Sequence, residues 1–355
     1  MQEFICQTRI VMGTNAVAVL AEAEYCRLFV VADPYFSKNG WAERIGKLSK
    51  HYEIFDGIKA DPSVELVAEG LIRLQSFKPD AIVALGGGST IDCAKAIACF
   101  AEGNIPLIAI PTTSGSGSEV TDFAILTYGG VKHPLIDPKM RPKMAILEEG
   151  LLLQMPPSLI ADCGFDVLAH ALEAWTAKNA NPLTDTLAQD ALGTVFDLLP
   201  ASFEGDTSGR LAIHIASTMA GLAFNQAGLG LCHALSHALG GQFHLPHGRL
   251  NAILLPAVIG CNNVAKYADL SRRLGLGGSS DMMAIRNLKN ALIKLRSRLK
   301  LPATLSAAGV ELHSLQEKSD AIITAVLKDP CCLTNPVPVT KEMVHRVLSE
   351  VAGHG

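Results

Sequence analysis

The sequence is poor in aromatic and charged residues, and neither sign of charge dominates. Aromatic residues make up 5% of the 355 residues and charged residues 18%, whereas hydrophobic residues make up 49%. This balance excludes a disordered chain and predicts a core built mainly from aliphatic side chains. The net charge is −4, from 34 acidic and 30 basic residues, with no polybasic run. We therefore expect neither a nucleic acid nor an anionic membrane surface as a partner.

Long hydrophobic runs and paired cysteines are absent as well. No apolar run reaches the roughly 18 residues of a transmembrane helix, and the opening MQEFICQTRI does not resemble a signal peptide. Nine cysteines are scattered along the chain without a CxxC pair, a pattern typical of reduced thiols in the cytosol. These observations predict a cytoplasmic protein with no membrane-spanning segment.

Short apolar runs alternate with amphipathic stretches in the first part of the chain. The runs are Leu28–Ala32, Ala81–Leu85, Leu107–Ile110 and Met144–Leu147, and the amphipathic stretches are Pro62–Phe77 and Thr90–Phe100. Apolar runs of this length suit strands that are covered on both faces. The alternation therefore predicts an α/β, Rossmann-like domain with a parallel sheet over residues 1–154.

The pattern changes after Pro156-Pro157, where Ser158 is a candidate helix cap. From there on the periodicity is helical. It predicts helices over Phe165–Thr176, Pro182–Leu199, Leu211–Asn225, Leu231–Leu239, Asp281–Leu299, Ser314–Leu327 and Lys341–Val351. The sequence thus predicts an all-α C-terminal domain over residues 155–355.

Two loops rich in small residues follow apolar runs of the α/β domain. Gly86-Gly87-Gly88-Ser89 opens an amphipathic stretch, although the GxGxxG pattern is absent. Such a turn lets a pyrophosphate approach unpaired N–H groups, but it also serves as an ordinary turn. The hydroxyl-rich loop Pro111–Glu119 favours the phosphate interpretation. Asp33 is placed to bond a ribose hydroxyl, which favours NAD over NADP, with a turn residue or helix cap as the alternative.

Histidines cluster in the second half of the chain. Four of the eleven, His233, His237, His244 and His247, fall within fifteen residues. His233 and His237 lie four residues apart on a predicted helix, as do an aspartate and a histidine, Asp166 and His170, on an earlier one. Single histidines on apolar helices are usually core residues. His214 does not belong to such a pair, and we expect it to be either structural or a surface residue. The two facing pairs, with His247 in a nearby turn, instead favour a divalent metal site.

Four segments carry the most distinctive residue patterns. They are GGGSTIDCAKAIA (Gly86–Ala98), PTTSGSGSE (Pro111–Glu119), GFDVLAHALEA (Gly164–Ala174) and HALSHALGGQFHLPHG (His233–Gly248). Together they resemble the iron-containing, group III alcohol dehydrogenases, over nearly the whole chain. Residues Gln226–Gly248 are most similar to the propanol dehydrogenases of propanediol utilisation and the related ethanolamine-utilisation enzymes. The resemblance implies a dehydroquinate synthase-like fold, with a dinucleotide-binding α/β domain and a metal-binding, catalytic helical domain.

The resemblance also implies roles for individual residues. It implies metal ligands at Asp166, His170, His233 and His247, and at His237 a histidine that moves protons without binding the metal. His244 matches no ligand position. The cofactor contacts that it implies are Asp33, Gly87, Gly88, Ser89, Thr112, Thr113, Ser116 and Lys132, with Asp33 linked to NAD preference. The implied cofactors are NAD(H) as hydride carrier and a divalent metal as Lewis acid. The family favours Fe²⁺, and the ligand set also suits Zn²⁺.

The resemblance and the distribution of charge together predict the substrate. Residues 154–265 contain only three basic residues, Lys178, Arg210 and Arg249. Because Arg and Lys usually recognise carboxylates and phosphates, we expect a small, neutral aldehyde or primary alcohol, such as propanal and 1-propanol or another C2–C4 pair. The family further implies a homodimer or larger homo-oligomer, and the subfamily implies association with a bacterial microcompartment.

Three other functions remain open from the sequence. A lyase related to dehydroquinate synthase needs a cluster of bases for its charged substrate, which the base-poor segment disfavours. A second alternative is a polyol dehydrogenase related to glycerol dehydrogenase, which is typically zinc-dependent. The fourth candidate ligand, His247, distinguishes it only weakly from an iron-containing alcohol dehydrogenase. A non-catalytic microcompartment protein is disfavoured because the glycine and metal motifs are all intact.

Overall fold

The computed structural model describes residues 3–59, 61–129 and 131–353, and of Val131 and Lys132 the backbone only. The chain divides into two compact units. The first spans Ile5–Met155, and the second comprises the residues from Pro156 onward together with Glu3 and Phe4. The change of unit lies one residue from the predicted change of domain. Within the described ranges, no helix combines the length and the apolar character needed to cross a membrane.

The first unit is built on a parallel sheet. Its described strands are β1 (Arg9–Gly13), β2 (Arg27–Ala32), β3 (His51–Phe55), β4 (Ala81–Gly86), β5 (Leu107–Pro111), β6 (Phe123–Tyr128), β7 (Val131–Ile136) and β8 (Met144–Glu148). Its helices are α1 (Val19–Glu22), α2 (Pro34–Lys38), α3 (Trp41–Gly46), α4 (Val64–Phe77) and α5 (Gly88–Phe100). Six strands form the sheet in the order β1-β8-β5-β4-β2-β3, and β6 and β7 form a separate antiparallel pair.

The central strands are buried on both faces, which explains their continuous apolar sequences. In β2, Leu28 and Val30 belong to one hydrophobic cluster, and Phe29 and Val31 belong to the cluster on the other side. Side chains of a strand alternate between faces, so a strand covered on both sides needs apolar residues at every position. The neighbouring strands β2, β4 and β5 run parallel and therefore end at the same edge of the sheet. That edge carries the predicted cofactor turns.

In the described residues of the second unit, all regular secondary structure is helical. Its helices are α6 (Pro157–Thr176), α7 (Pro182–Phe203), α8 (Arg210–Ala227), α9 (Leu231–Phe243), α10 (His247–Asn262), α11 (Ala265–Arg273), α12 (Asp281–Arg298), α13 (Leu312–Glu317), α14 (Ser319–Lys328), α15 (Cys331–Thr334) and α16 (Lys341–Ala352). Short 3-10 helices occupy Ala16–Ala18, Pro138–Met140 and Glu149–Leu151 in the first unit and Ser306–Ala308 in the second. This architecture confirms the predicted fold class, α/β followed by all-α.

Several predicted element boundaries are wrong. The helix expected from Phe165 begins at Pro157, and Pro156 rather than Ser158 is its N-cap residue. Pro157 suits the first helical position because the N–H that proline lacks would have no partner within the helix there. Helix α9 continues through Gly240-Gly241 to Phe243 instead of ending before them. The stretch expected to form one helix over Ser314–Leu327 is two helices, α13 and α14, that meet at Lys318.

Candidate functional site

One carboxylate oxygen of the helical unit lies close to three imidazoles. Asp166 Oδ1 is 4.0 Å from His170 Nε2, 3.9 Å from His233 Nε2 and 3.5 Å from His247 Nε2. The rings of His170 and His233 stack with centroids 4.5 Å apart. The structure therefore brings together all four residues that the sequence predicts as metal ligands.

Three helices supply these side chains. Asp166 and His170 are one turn apart on α6, which is buried along most of its length, and His233 lies on α9. His247 is the first residue of α10 rather than part of a turn. The next residue has to be glycine, because a Cβ on Gly248 would lie 1.9 Å from the backbone oxygen of Asp162. This close approach of α10 to α6 sets the position of His247.

A buried glutamate that the sequence analysis missed holds His233. Glu173 Oε2 lies 2.7 Å from His233 Nδ1, and Glu173 also accepts hydrogen bonds from the backbone N–H groups of Gly230 and Cys232, at the start of α9. Burial raises the pKa of Glu173 to about 7, against these backbone hydrogen bonds, which favour the carboxylate. Because Glu173 engages Nδ1 of His233, only Nε2 of this ring is left to face Asp166.

The donor atoms fit a divalent transition metal. His233 Nε2 is buried and has no hydrogen-bond partner among the described residues. Burial also lowers the pKa of His233 well below its usual value, so the ring is a neutral imidazole with a free lone pair. Three imidazoles and one carboxylate form a donor set that suits Fe²⁺ or Zn²⁺. A buried, unpaired nitrogen aimed at a carboxylate is what such an ion would satisfy.

Asp166 is itself oriented by an amide that the sequence analysis did not identify. Asn251 Nδ2 donates to Asp166 Oδ1 at 2.8 Å, and Ser236 Oγ donates to Asn251 Oδ1 at 2.5 Å. Asn251 and Ser236 are both buried. Ligand-orienting hydrogen bonds of this kind are common around metal sites. Asn251 lies on α10 and Ser236 on α9, so no local sequence pattern joins them to Asp166.

The remaining histidines of the helical unit that the sequence singles out lie in three different environments. The His237 ring lies 5.4 Å from the His247 ring, stacked at 17°, and its Nδ1 lies 2.8 Å from Asp329 Oδ2. His237 therefore borders the ligand group. His244 is exposed at the left-handed residue that ends α9. His214 is buried within α8, so of the two roles expected for it, the structural one is correct.

The glycine turn of the sheet unit packs against the hydroxyl-rich loop Pro111–Glu119. A Cβ on Gly87 would lie 3.2 Å from Thr113 Oγ1, and one on Gly88 would lie 3.0 Å from Ser116 Cβ. Gly87 is the N-cap residue of α5, and it caps the helix with no side chain. Helix start and loop therefore form a small cradle that a side chain at either glycine would fill. Such a cradle fits a phosphate group, for which the first N–H groups of a helix are donors.

Three of the remaining predicted cofactor residues, Ser89, Thr112 and Asp33, lie around the same sheet edge. Ser89 is the second residue of α5, and Thr112 N donates to the oxygen of Gly86 at 3.1 Å. Asp33 N donates to the oxygen of Leu85 at 2.9 Å, which fixes Asp33 beside the end of β4. Its Oδ1 accepts from Tyr35 N and caps α2, as the helix-cap alternative predicts. Lys132 lies in β7, but its side chain is outside the described residues.

Comparisons with known proteins agree with this picture. Residues 7–149 match the family model for iron-containing alcohol dehydrogenase, and residues 160–352 match the model for the C-terminal part of the Fe-containing alcohol dehydrogenase family. The 1-propanol dehydrogenase PduQ of Salmonella typhimurium is 38% identical, over 99% of this chain and 100% of that protein.

Solved structures give the same result. The iron-containing alcohol dehydrogenase of Thermococcus thioreducens matches with a TM-score of 0.92 and 32% identity, over 99% of this chain and 100% of that one. Sulfoacetaldehyde reductase of Bifidobacterium kashiwanohense, solved in complex with NAD⁺, matches with a TM-score of 0.90 and 25% identity, over the full length of both chains. The chain therefore belongs to the iron-containing alcohol dehydrogenase family, as its sequence predicts, and it is an oxidoreductase.

Proposed function

We propose that the protein is a metal-dependent, NAD(H)-linked dehydrogenase that interconverts small neutral aldehydes and primary alcohols, with propanal and 1-propanol as the expected pair. The observation that carries the proposal is the approach of three imidazole Nε2 atoms to Asp166 Oδ1, within 4.0 Å. The similarity to 1-propanol dehydrogenase PduQ supports the choice of substrate.

Asp166, His170, His233 and His247 would hold the divalent metal, which we expect to be Fe²⁺, with Zn²⁺ as the alternative. When bound, such an ion acts as a Lewis acid that polarises a carbonyl oxygen. The protein's contribution is to keep its ligands fixed. Glu173 holds the ring of His233 through Nδ1, and Asn251 holds Asp166 through Oδ1.

His237 is the residue that we propose to move the proton. It stacks on His247, and its Nδ1 lies at hydrogen-bond distance from Asp329. Its side chain is 25% exposed, so the ring can exchange protons with solvent. In aldehyde reduction it would supply the proton that the product hydroxyl needs, and in alcohol oxidation it would accept that proton.

The cradle of Gly87, Gly88, Thr113 and Ser116 would hold the pyrophosphate of NAD(H), with Ser89 and Thr112 beside it. Bound NADH supplies the hydride. Asp33 has one carboxylate oxygen bound to Tyr35 N and its other oxygen available for a ribose hydroxyl. Its negative charge would repel a 2′-phosphate, which supports NAD over NADP. The NAD⁺ complex of the structural neighbour supports the same cofactor.

The three basic residues of segment 154–265 are buried or hydrogen-bonded within the chain, which supports a neutral substrate. Both Nε and Nη2 of Arg249 donate to Asp162, at 3.2 and 3.0 Å. Lys178 Nζ donates to the oxygen of Leu333, and Arg210 is buried in α8. A phosphorylated or carboxylated substrate that used Arg249 or Lys178 would need to displace these contacts. This observation counts against the lyase related to dehydroquinate synthase.

The test is NADH oxidation by the iron-loaded protein with acetaldehyde, propanal and butanal. Succinic semialdehyde serves as the charged comparison and dihydroxyacetone as the polyol-type comparison. We expect turnover of the neutral aldehydes, loss of activity with a chelator and recovery with Fe²⁺. Preference for dihydroxyacetone would instead support the polyol dehydrogenase, and activity that resists complete metal removal would contradict the proposal.

The proposals for quaternary structure and microcompartment association come from the family resemblance, and the proposal of a cytoplasmic location comes from the scattered cysteines. We propose a homodimer or larger homo-oligomer in the cytoplasm, associated with a microcompartment. Light scattering coupled to size exclusion measures the mass of the purified protein in solution. Co-sedimentation with purified microcompartment shells tests the association, and recovery of all the protein in the unsedimented fraction would contradict it.

A further inference from the structure

Helix α9 carries two histidines, and a carboxylate holds each of them at Nδ1. Glu173 lies 2.7 Å from His233 Nδ1, and Asp329 lies 2.8 Å from His237 Nδ1. The first pair orients a proposed metal ligand. The second pair involves a residue that is outside the proposed ligand set, and Asp329 was not identified from the sequence.

Both oxygens of Asp329 are committed. Oδ2 faces His237 Nδ1, and Oδ1 accepts from Cys331 N at 2.8 Å. Asp329 ends α14, and its side chain is 13% exposed. The backbone hydrogen bond therefore fixes the rotation of the carboxylate, and the carboxylate in turn fixes the plane of the His237 ring.

We propose that Asp329 is a positioning residue that fixes His237 in the tautomer with hydrogen on Nδ1, so that Nε2 alone exchanges protons with the substrate oxygen. This inference rests on the proton role proposed for His237. An ionised carboxylate can only accept a hydrogen bond, so the ring nitrogen facing it must carry hydrogen. The opposite tautomer would leave two acceptors, Nδ1 and Oδ2, 2.8 Å apart.

The proton balance of the reductive direction follows. When bound, NADH would supply the hydride for the carbonyl carbon and become NAD⁺, and His237 would supply the proton for the oxygen. His237, protonated on both nitrogens, releases the Nε2 proton to the oxygen and becomes the neutral ring with hydrogen on Nδ1. The hydrogen shared with Asp329 does not move, and solvent restores the proton on Nε2.

A different use of the same residues is a second cation site. His237, Asp329 and Cys331 each place one donor atom within 4.8 Å of the others. The short distance between Nδ1 and Oδ2 is that of a hydrogen bond, which favours a shared hydrogen over an ion. The metal content per chain separates the two interpretations.

The first measurement reads the tautomer directly. Full-length, Zn²⁺-loaded protein with ¹⁵N-labelled histidine gives the protonation of each ring nitrogen by long-range ¹H–¹⁵N NMR, and the His237→Gln spectrum assigns the signals. We expect hydrogen on Nδ1 of His237 in the native protein and a shift toward Nε2 in Asp329→Asn. A native protein with hydrogen on Nε2, or with two ions per chain that fall to one in Asp329→Asn, would overturn the proposal.

The second measurement is kinetic. Asp329→Asn should lower kcat by about 10- to 100-fold, with the KM for aldehyde and the content of metal unchanged. Asp329→Glu, which keeps the carboxylate, should recover part of the rate. The matched control is Asp320→Asn, at the exposed start of the same helix, which should behave as the native enzyme.

A double variant separates this inference from the proposed function. If Asp329 acts through His237, Asp329→Asn should cause no further loss in a protein that already carries His237→Gln. Equal losses in both backgrounds would overturn the positioning role. An unchanged rate in His237→Gln would contradict the proton role itself, whereas a slow His237→Gln beside a normal Asp329→Asn would contradict only the role of Asp329.

Discussion

The helical unit and the sheet unit present their candidate residues in different ways. In the helical unit, donor atoms of Asp166 and three histidines converge from three helices. In the sheet unit, the glycine turn at the start of α5 lies against small hydroxyl side chains. A group of converging donors is damaged when one donor is removed, whereas a cradle of backbone is damaged when atoms are added. The two units therefore call for opposite kinds of substitution.

The largest effect is expected from removal of a donor in the helical unit. His233→Ala should abolish tight metal binding and lower the rate of aldehyde reduction by about 10³-fold or more, because a metal Lewis acid contributes several kcal/mol. Metal per chain by mass spectrometry, together with NADH oxidation, measures both effects. The control is His313→Ala, whose side chain is 82% exposed. Full metal stoichiometry in His233→Ala would remove His233 from the ligand set.

A smaller effect is expected one helical turn away. His237→Gln should retain the metal but lower kcat by about 100-fold, since general acid–base catalysis typically contributes at least this factor. The two α9 variants would then differ in kind, because the change at His233 removes the metal, whereas the change at His237 slows turnover with the metal retained. Metal loss as severe as that of His233→Ala would instead make His237 a ligand.

The sheet unit should respond to added atoms. Gly88→Ala places a Cβ 3.0 Å from Ser116 Cβ, inside the proposed phosphate cradle. We expect the KM for NADH to rise roughly tenfold, about 1.4 kcal/mol of binding energy, with metal content unchanged. Gly57→Ala is the matched control, because its nearest neighbour would be 4.0 Å away. An unchanged KM in Gly88→Ala would remove the cradle from the cofactor site.

The smallest effect concerns the choice of cofactor. Asp33→Ser keeps an oxygen that can cap α2 through Tyr35 N but removes the negative charge. The ratio of kcat/KM for NADH over NADPH should fall by about tenfold, while the melting temperature changes little. Asp33→Ala, which loses the cap as well, should cost about 1 kcal/mol of stability. The same ratio in the native enzyme and both variants would contradict the role of Asp33.

The sequence predicts the central strands well because they are buried on both faces. The predicted bounds of β2, β4, β5 and β8 lie within one residue of the observed ones. The half-exposed strands β1 and β3 are missed, because polar residues interrupt their apolar pattern. The sequence predicts a turn at the start of α10, since Pro246 precedes His247 and Gly248 follows it. Here packing against Asp162, rather than local propensity, decides which residues form the helix.

The candidate site divides in the same way. Sequence spacing identifies Asp166, His170, His233 and His237 as candidates, because residues four apart share a helix face. The residues that orient these side chains cannot be identified from the sequence. Asp329 lies 92 positions from His237, and Asn251 lies 85 positions from Asp166. Only the folded chain reveals such pairs. One available signal is Glu173, three residues after His170, which interrupts the apolar stretch from Ala171 to Trp175.

Gly248 has a consequence for anyone who wishes to redesign this enzyme. With no room for even a methyl group against Asp162, any replacement at position 248 forces α10 outward and carries its neighbour His247 along. Randomised libraries aimed at new substrates should therefore leave this position fixed. Gly241 is a safer place to begin, because a methyl group added there would meet no neighbouring atom within 4 Å and alanine should strengthen α9.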